Sequence, residues 1–135
     1  HVLDVIYGYL LVADRALVEA SSFDSFNFSS DINNNYNVLK VSNIFLKKFN
    51  INNIKINDNV KNLEKNSLSI NSSKAKNIFG WKPFYDVEKS IKLTADWYIK
   101  NLNKKYKPID LTIDQIEKYI NKITKNHKEL LRNIV

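Results

Sequence analysis

Apolar positions along the chain switch several times between helical and alternating spacing, and the switches divide it into segments. From Leu3 to Ala20 the residues Val5, Ile6, Tyr9, Leu10, Leu11, Val12, Ala16 and Leu17 run almost all the way round a helix. That pattern predicts a helix buried on most sides. Asp4 suits its first turn, where a carboxylate meets unpaired N–H groups and the positive end of the dipole. Gly8 in its interior costs about 1 kcal/mol relative to alanine, so its presence predicts close approach of another backbone. The helix asks for more packing partners than the remaining chain offers.

Ser21 to Ser25 reads as a turn, and Phe26-Asn27-Phe28 alternates as a short strand. An asparagine-rich loop follows, and Asn37 caps a helix over Val38–Phe49 with Val38, Val41, Phe45 and Phe49 on one stripe. Asn50 to Asn53 ends it. Ile54-Lys55-Ile56 and Ser67-Leu68-Ser69-Ile70 read as two further strands, separated by a polar loop that carries Glu64. Asn71 to Pro83 predicts a short capped helix with a sharp exit. Ser72 caps it, Ala75, Ile78 and Phe79 share a face, Gly80 takes the left-handed stop, Trp81 folds back, and Pro83 prevents resumption. Asp86 caps a helix to about Asn103, with Val87, Ile91, Ala95, Tyr98 and Leu102 as its stripe and Glu88–Lys92 and Asp96–Lys100 as supporting pairs. After Pro108, Thr112-Ile113-Asp114-Gln115 has the form of a capping box, with Leu111 and Ile116 as a staple, and opens a last helix through Ile120, Ile123 and Leu130. The fold class expected is α/β, mostly helical with a few short strands.

Composition narrows the chemistry. The length of 135 residues suffices for one modest core. No apolar run approaches the roughly twenty residues of a membrane span. Val2 to Ala20 carries Asp4, Asp14 and Arg15, which does not suit a signal peptide. Zero cysteines exclude disulfides, thiolate catalysis and cysteine zinc sites. His1 and His127 stand at opposite ends with no metal-binding spacing, so no metal is expected. The net charge of +7 comes from lysines spread from Lys40 to Lys128, with arginine only at Arg15 and Arg132. That is a solvated lysine surface, and no nucleic acid is expected. Gly8 and Gly80, the two glycines present, cannot build a phosphate-cradling loop. Tyr85 and Lys89 have the Y-x-x-x-K spacing, but they straddle a helix cap after Pro83, and the match is read as coincidental. With no methionine and His1 in first place, the chain is expected to be a piece whose N-terminal part is missing.

Several segments carry a family likeness in order: His1-Val2-Leu3-Asp4 with Gly8-Tyr9-Leu10-Leu11, Phe26-Asn27-Phe28, Glu64 through Asn71-Ser72-Ser73-Lys74-Ala75, Phe79-Gly80-Trp81-Lys82-Pro83, Thr94 to Tyr98, and Thr112 to Ile116 with Tyr119. Together they resemble the C-terminal part of the extended short-chain dehydrogenase/reductase enzymes that modify nucleotide-sugars, and within them the CDP-glucose 4,6-dehydratase branch. The resemblance implies a substrate-binding C-terminal subdomain over residues 1–110, with a C-terminal helix over 111–135 packing on it. It implies a reaction on bound NAD: a hydride leaves C4 of the glucose, water is eliminated across C5 and C6, and the hydride returns to C6. The glycine-rich NAD loop and the catalytic tyrosine–lysine pair would then lie upstream, so this chain holds no catalytic or cofactor-binding residue and is inactive alone.

The substrate-side residues implied are His1, beside the family's substrate-contacting arginine, together with Asn27 and Glu64. This sequence departs from the family at Leu63, where a histidine precedes the glutamate, at Asn71, where the family has aspartate, and at Ser29, where it has glycine. The resemblance further implies CDP-glucose as partner, a cytoplasmic setting, no membrane, and a homodimer when full length. Two alternatives stand beside it: another nucleotide-sugar epimerase or reductase of the same superfamily, and a non-enzymatic basic helical binding module.

Overall fold

A computed structural model describes residues 1–18, 25–30, 36–52, 54–55 and 70–132, with side chains to residue 125. Among these residues the chain forms α1 (Val2–Val18), α2 (Val38–Lys47), α3 (Ser73–Phe79), α4 (Val87–Leu102) and α5 (Pro108–Arg132). It is mostly helical, and the described residues contain no strand. The α/β expectation is corrected wherever it can be read: Phe26, Asn27 and Phe28, and likewise Ile54, Lys55 and Ile70, carry no strand. Alternation by itself is not enough, because a strand needs a ladder of partners for its backbone N–H and C=O groups. Segment 25–30 is held through side chains instead. Ser29 Oγ donates to Ile70 O at 2.6 Å, and Ser72 Oγ donates to Ser29 O at 3.5 Å. Ile56 and residues 67–69 lie outside the described residues.

The chain divides into two compact units, His1–Ala95 and Asp96–Val135. In the first, α1 docks by a face that hydrophobicity does not mark. Asp4 and Gly8 are its buried residues, while Val2, Ile6, Tyr9, Leu10, Leu17 and Val18 are exposed. At about 100° per residue, Asp4, Gly8 and Arg15 share one side, and the exposed apolar stripe lies roughly opposite. The expectation of burial on most sides is therefore not met. Gly8 faces the Phe28 ring rather than a backbone: a methyl built on it would lie 2.5 Å from both Cδ1 and Cε1. Phe28 in turn meets Trp81 and Tyr9 edge-on, at centroid distances of 5.0 and 5.7 Å. The alternation in Phe26-Asn27-Phe28 thus describes the side-chain directions without the strand. Both rings pack, Phe26 against Phe79 at 4.8 Å, and Asn27 is exposed.

α3 ends as its sequence predicts. Gly80 has φ 63°, and its N–H donates to Lys76 O at 2.9 Å, a left-handed stop. Its start differs from expectation. The Ser72 side chain makes no capping bond. Asn71 Oδ1 accepts from Ser73 N at 2.8 Å instead, an Asx-type turn. Arg15 Nη1 donates to Ile78 O at 3.3 Å and lies 5.8 Å from the Phe79 ring centroid, which puts a cation where the carbonyls of α3 run out of partners.

α2 and α4 follow their caps. Asn37 Oδ1 accepts from Lys40 N at 2.8 Å, and Asp86 Oδ1 from Lys89 N at 2.7 Å. Asn50, with φ 59°, ends the α2 region, a conformation asparagine tolerates. The expected Glu88–Lys92 pair is present. The hydrogen bond to Glu88, and then its charge, holds the Lys92 ammonium above the ordinary lysine range. The pair is exposed and worth little. Its contribution is present below the ordinary lysine value and is lost as pH rises through the raised one.

In the second unit, α5 begins four residues before the expected capping box. Pro108 takes its first turn, where a missing N–H costs nothing and φ is preset. Thr112 therefore lies within the helix. Its hydroxyl donates to Pro108 O at 2.9 Å and accepts from Trp97 Nε1 at 3.2 Å. Leu111 likewise lies inside α5 and not ahead of its cap, where the first member of a staple stands.

The Phe28 contact makes Gly8 a sensitive position. Gly8→Ala gains about 1 kcal/mol of helix propensity but loses about 1–3 kcal/mol to overpacking. Urea denaturation is expected to show a net loss of stability. In a Phe28→Ala background the same change is expected to be neutral or stabilising.

Candidate functional site

The first residues of the chain and the turn between α3 and α4 are joined through one side chain. Asp4 is 2% exposed. Its Oδ1 accepts from Phe84 N at 2.7 Å, and its main-chain carbonyl accepts from Trp81 Nε1 at 3.0 Å. Trp81 is equally buried, at 2%, and the Phe84 ring meets Tyr7 edge-on at 5.7 Å. Pro83 lies between the two donors and stiffens the turn that presents them. Asp4 therefore does more than favour a helix start. It satisfies a loop amide that would cost about 1–3 kcal/mol if buried unpaired.

His1 is positioned by this clasp. Its ring lies edge-on to Tyr85 at 5.8 Å, and its main-chain nitrogen donates to Ser90 Oγ at 3.1 Å. Leu3 N donates to His1 Nδ1 at 3.3 Å, which makes Nε2 the protonated nitrogen of the neutral ring and a donor. Tyr85 thus serves as a platform for His1 just before α4, while Lys89 lies in the first turn of that helix.

Asn27 lies elsewhere, on the segment strapped across α1 and α3. Its amide is exposed and makes no hydrogen bond among the described residues. No hydrogen bond or ring contact among the described residues joins it to His1. Glu64 and Leu63 lie outside the described residues. The other two departures from the family pattern both have structural work here. Asn71 keeps the acceptor oxygen that starts α3, and the Ser29 hydroxyl ties the strap to Ile70.

Beside His1 there is a groove of about 400 Å³ between α2 and the first half of α4, lined by Val41, Ser42, Phe45, Leu46, Ser90, Ile91 and Thr94. Ser90, which receives the His1 nitrogen, is one of its walls. The hydroxyls of Ser90 and Thr94 donate to the carbonyls four residues earlier, Asp86 O and Ser90 O, so they face a ligand as acceptors. None of the lining residues is titratable, so the groove can hold an apolar or planar body but offers no acid–base chemistry. The sequence marked Val41, Phe45 and Ile91 as core stripes. Two narrow stripes give no sign that their helices leave a gap, so the groove was not legible.

The residues present do not fit NAD. Gly8 is filled by the Phe28 ring, and Gly80 closes a helix, whereas a diphosphate needs a glycine loop that opens one. No group of His, Asp and Glu suited to a metal occurs among the described residues, and no described helix is long and apolar enough to cross a membrane. Searches against protein-family models, curated proteins and solved structures find no match to this chain.

Asp4 is the position at which this arrangement is most open to test. Asp4→Asn keeps an acceptor for Phe84 N but gives up the ion pair between Asp4 Oδ2 and the His1 main-chain ammonium at 3.3 Å, and Asp4→Ala also strands the half-buried Phe84 amide, so Asp4→Ala is expected to be the more destabilising by about 1–3 kcal/mol. Chemical denaturation of both variants checks the order.

Proposed function

We propose that this chain is the substrate-side, C-terminal part of an NAD-dependent nucleotide-sugar 4,6-dehydratase, a lyase that converts CDP-glucose to CDP-4-keto-6-deoxyglucose and water. One observation carries this reading. The segments His1–Asp4 and Phe79–Pro83, far apart in sequence and both resembling that family, hold each other through Asp4 and Trp81. Such a contact between two family-like segments is what a shared scaffold would require. The exposed amide of Asn27 and the Nε2–H of His1 are suited to hydrogen bonds with sugar or base oxygens, and Glu64 completes the set carried over by resemblance.

On this reading residues 1–110 form the substrate-binding part, and NAD and the tyrosine–lysine pair belong to sequence outside these 135 residues. The apolar flank of α1, exposed here, is suited to being covered by that other part. A cytoplasmic setting and a full-length homodimer accompany the proposal.

The test is product analysis. A full-length protein containing this chain, given CDP-glucose and NAD, is expected to yield the 4-keto-6-deoxy sugar nucleotide. An epimer or a reduced sugar would assign it to another branch of the superfamily, and no turnover of any nucleotide-sugar would overturn the proposal. Asn27→Ala in that protein is expected to raise KM about fivefold, the loss of one hydrogen bond of about 1 kcal/mol. The purified 135-residue chain is expected neither to bind NAD nor to turn over CDP-glucose, and turnover by it would refute the placing of the chemistry elsewhere.

A further inference from the structure

The groove between α2 and α4 has a chemistry that its apolar walls alone do not describe. Val41, Phe45, Leu46 and Ile91 form those walls around about 400 Å³. That is near the lower end of the roughly 300–1,000 Å³ of small-molecule sites, room for one ring system rather than a whole nucleotide. No titratable residue lines it. A phosphate or an ammonium placed there would lose its hydration without gaining a partner charge, so the ring it takes is neutral. The Phe45 side chain supplies an aromatic surface for a planar ring to stack on.

Three hydroxyls then set the polarity. On the α4 side, Ser90 Oγ donates to Asp86 O at 2.7 Å and Thr94 Oγ1 donates to Ser90 O at 2.9 Å. A hydroxyl has one proton, and both are spent. Ser90 Oγ also accepts the His1 main-chain nitrogen at 3.1 Å, so Thr94 Oγ1 keeps the greater accepting capacity. On the α2 side, Ser42 Oγ makes no hydrogen bond among the described residues and keeps its proton to donate. One wall therefore asks for N–H donors, and the other offers a donor.

Among neutral planar rings, a base with an exocyclic amine meets both demands. Cytosine carries an amine at C4 and acceptors at N3 and O2. Uracil carries a carbonyl oxygen at C4, which would face hydroxyls with no proton to give. Acceptors would then be desolvated against each other, the mismatch by which a hydrogen-bonding site rejects an analogue.

We propose that this groove is a nucleobase subsite that takes cytosine, with Thr94 selecting the amine and Ser42 donating to the acceptor edge of the ring. The choice of cytosine among amine-bearing bases rests on the reading of the chain as the substrate side of a CDP-glucose enzyme. The preference for an amine over a carbonyl rests on the hydroxyls. The sugar and the diphosphate stay outside the groove, where charge remains solvated.

The probe is cytidine 5′-monophosphate, titrated into the whole 135-residue chain and followed by amide chemical shifts. Saturable shifts at Ser42, Phe45 and Thr94 are expected, with uridine 5′-monophosphate binding more weakly by about tenfold or more. Thr94→Val, at an exposed position and of similar size, is expected to weaken the cytidine nucleotide about fivefold and to remove most of its advantage over the uridine one. Ser42→Ala is expected to weaken both alike, since both bases keep the C2 carbonyl. Unchanged shifts away from the groove verify that each variant keeps the fold. No shifts in the groove, equal binding of the uridine nucleotide, binding of adenosine 5′-monophosphate as tight as that of the cytidine nucleotide, or a preference that survives Thr94→Val would each overturn the proposal. Turnover of CDP-glucose by the full-length protein with a groove untouched by the cytidine nucleotide would overturn the subsite alone. Groove binding without turnover would leave the subsite standing and remove the dehydratase reading.

Discussion

The Asp4 carboxylate accepts the Phe84 amide at 2.7 Å while its main-chain carbonyl accepts the Trp81 indole N–H at 3.0 Å, and the arrangement of the first unit follows from that pair. Both donors belong to the turn that Gly80 opens and Pro83 stiffens, so fixing them fixes where α3 ends and where α4 begins. With Trp81 held, its ring offers an edge to Phe28. Phe28 then requires the missing Cβ of Gly8, and the strap that carries Phe28 is closed by Ser29 and Ser72. Arg15, further along the same side of α1, reaches the last carbonyls of α3. A helix is thus docked by a carboxylate, a glycine and a guanidinium, with aromatic rings as the filling.

That choice of face explains which parts of the fold were legible in the sequence. The caps at Asn37 and Asp86 and the stop at Gly80 were read correctly, because each depends on one residue with one special property, whereas the expected cap at Ser72 makes no capping bond. Asn37 and Asp86 accept from main-chain nitrogens as expected, and Gly80 adopts the left-handed conformation only glycine takes freely. The docked side of α1 was missed because hydrophobicity points the other way, to Val2, Ile6, Leu10 and Leu17, which remain exposed. The strand over Phe26–Phe28 was misread for a related reason. Alternation reports where side chains point, and both rings do point inward, but it says nothing about whether a backbone partner exists. The start of α5 was misplaced because two start signals compete there, and Pro108 has the advantage of removing an unpaired donor at no cost.

The candidate site was legible to a smaller degree. Sequence singled out His1, and the ring is oriented by Tyr85, Leu3 and, through the main chain, Ser90. It singled out Asn27, which presents an exposed amide from a braced segment. The two lie on separate parts of the unit, one at the start of α4 and one on the α1–α3 strap. The groove beside Ser90 is apolar with hydroxyl acceptors and suits binding rather than proton transfer. Its position next to His1 gives the proposed substrate side a pocket that sequence could not reveal.

Because the clasp is a pair of donors, one buried and one half-buried, on one acceptor residue, it is open to direct observation through native-state hydrogen exchange of the Trp81 indole N–H and the Phe84 amide. If Asp4 organises the unit, both protons exchange only when the unit opens globally, at rates set by its overall stability and matching each other. Exchange of either proton by local fluctuation, as fast as at an exposed turn, would contradict the view that the rest of the unit depends on this interaction.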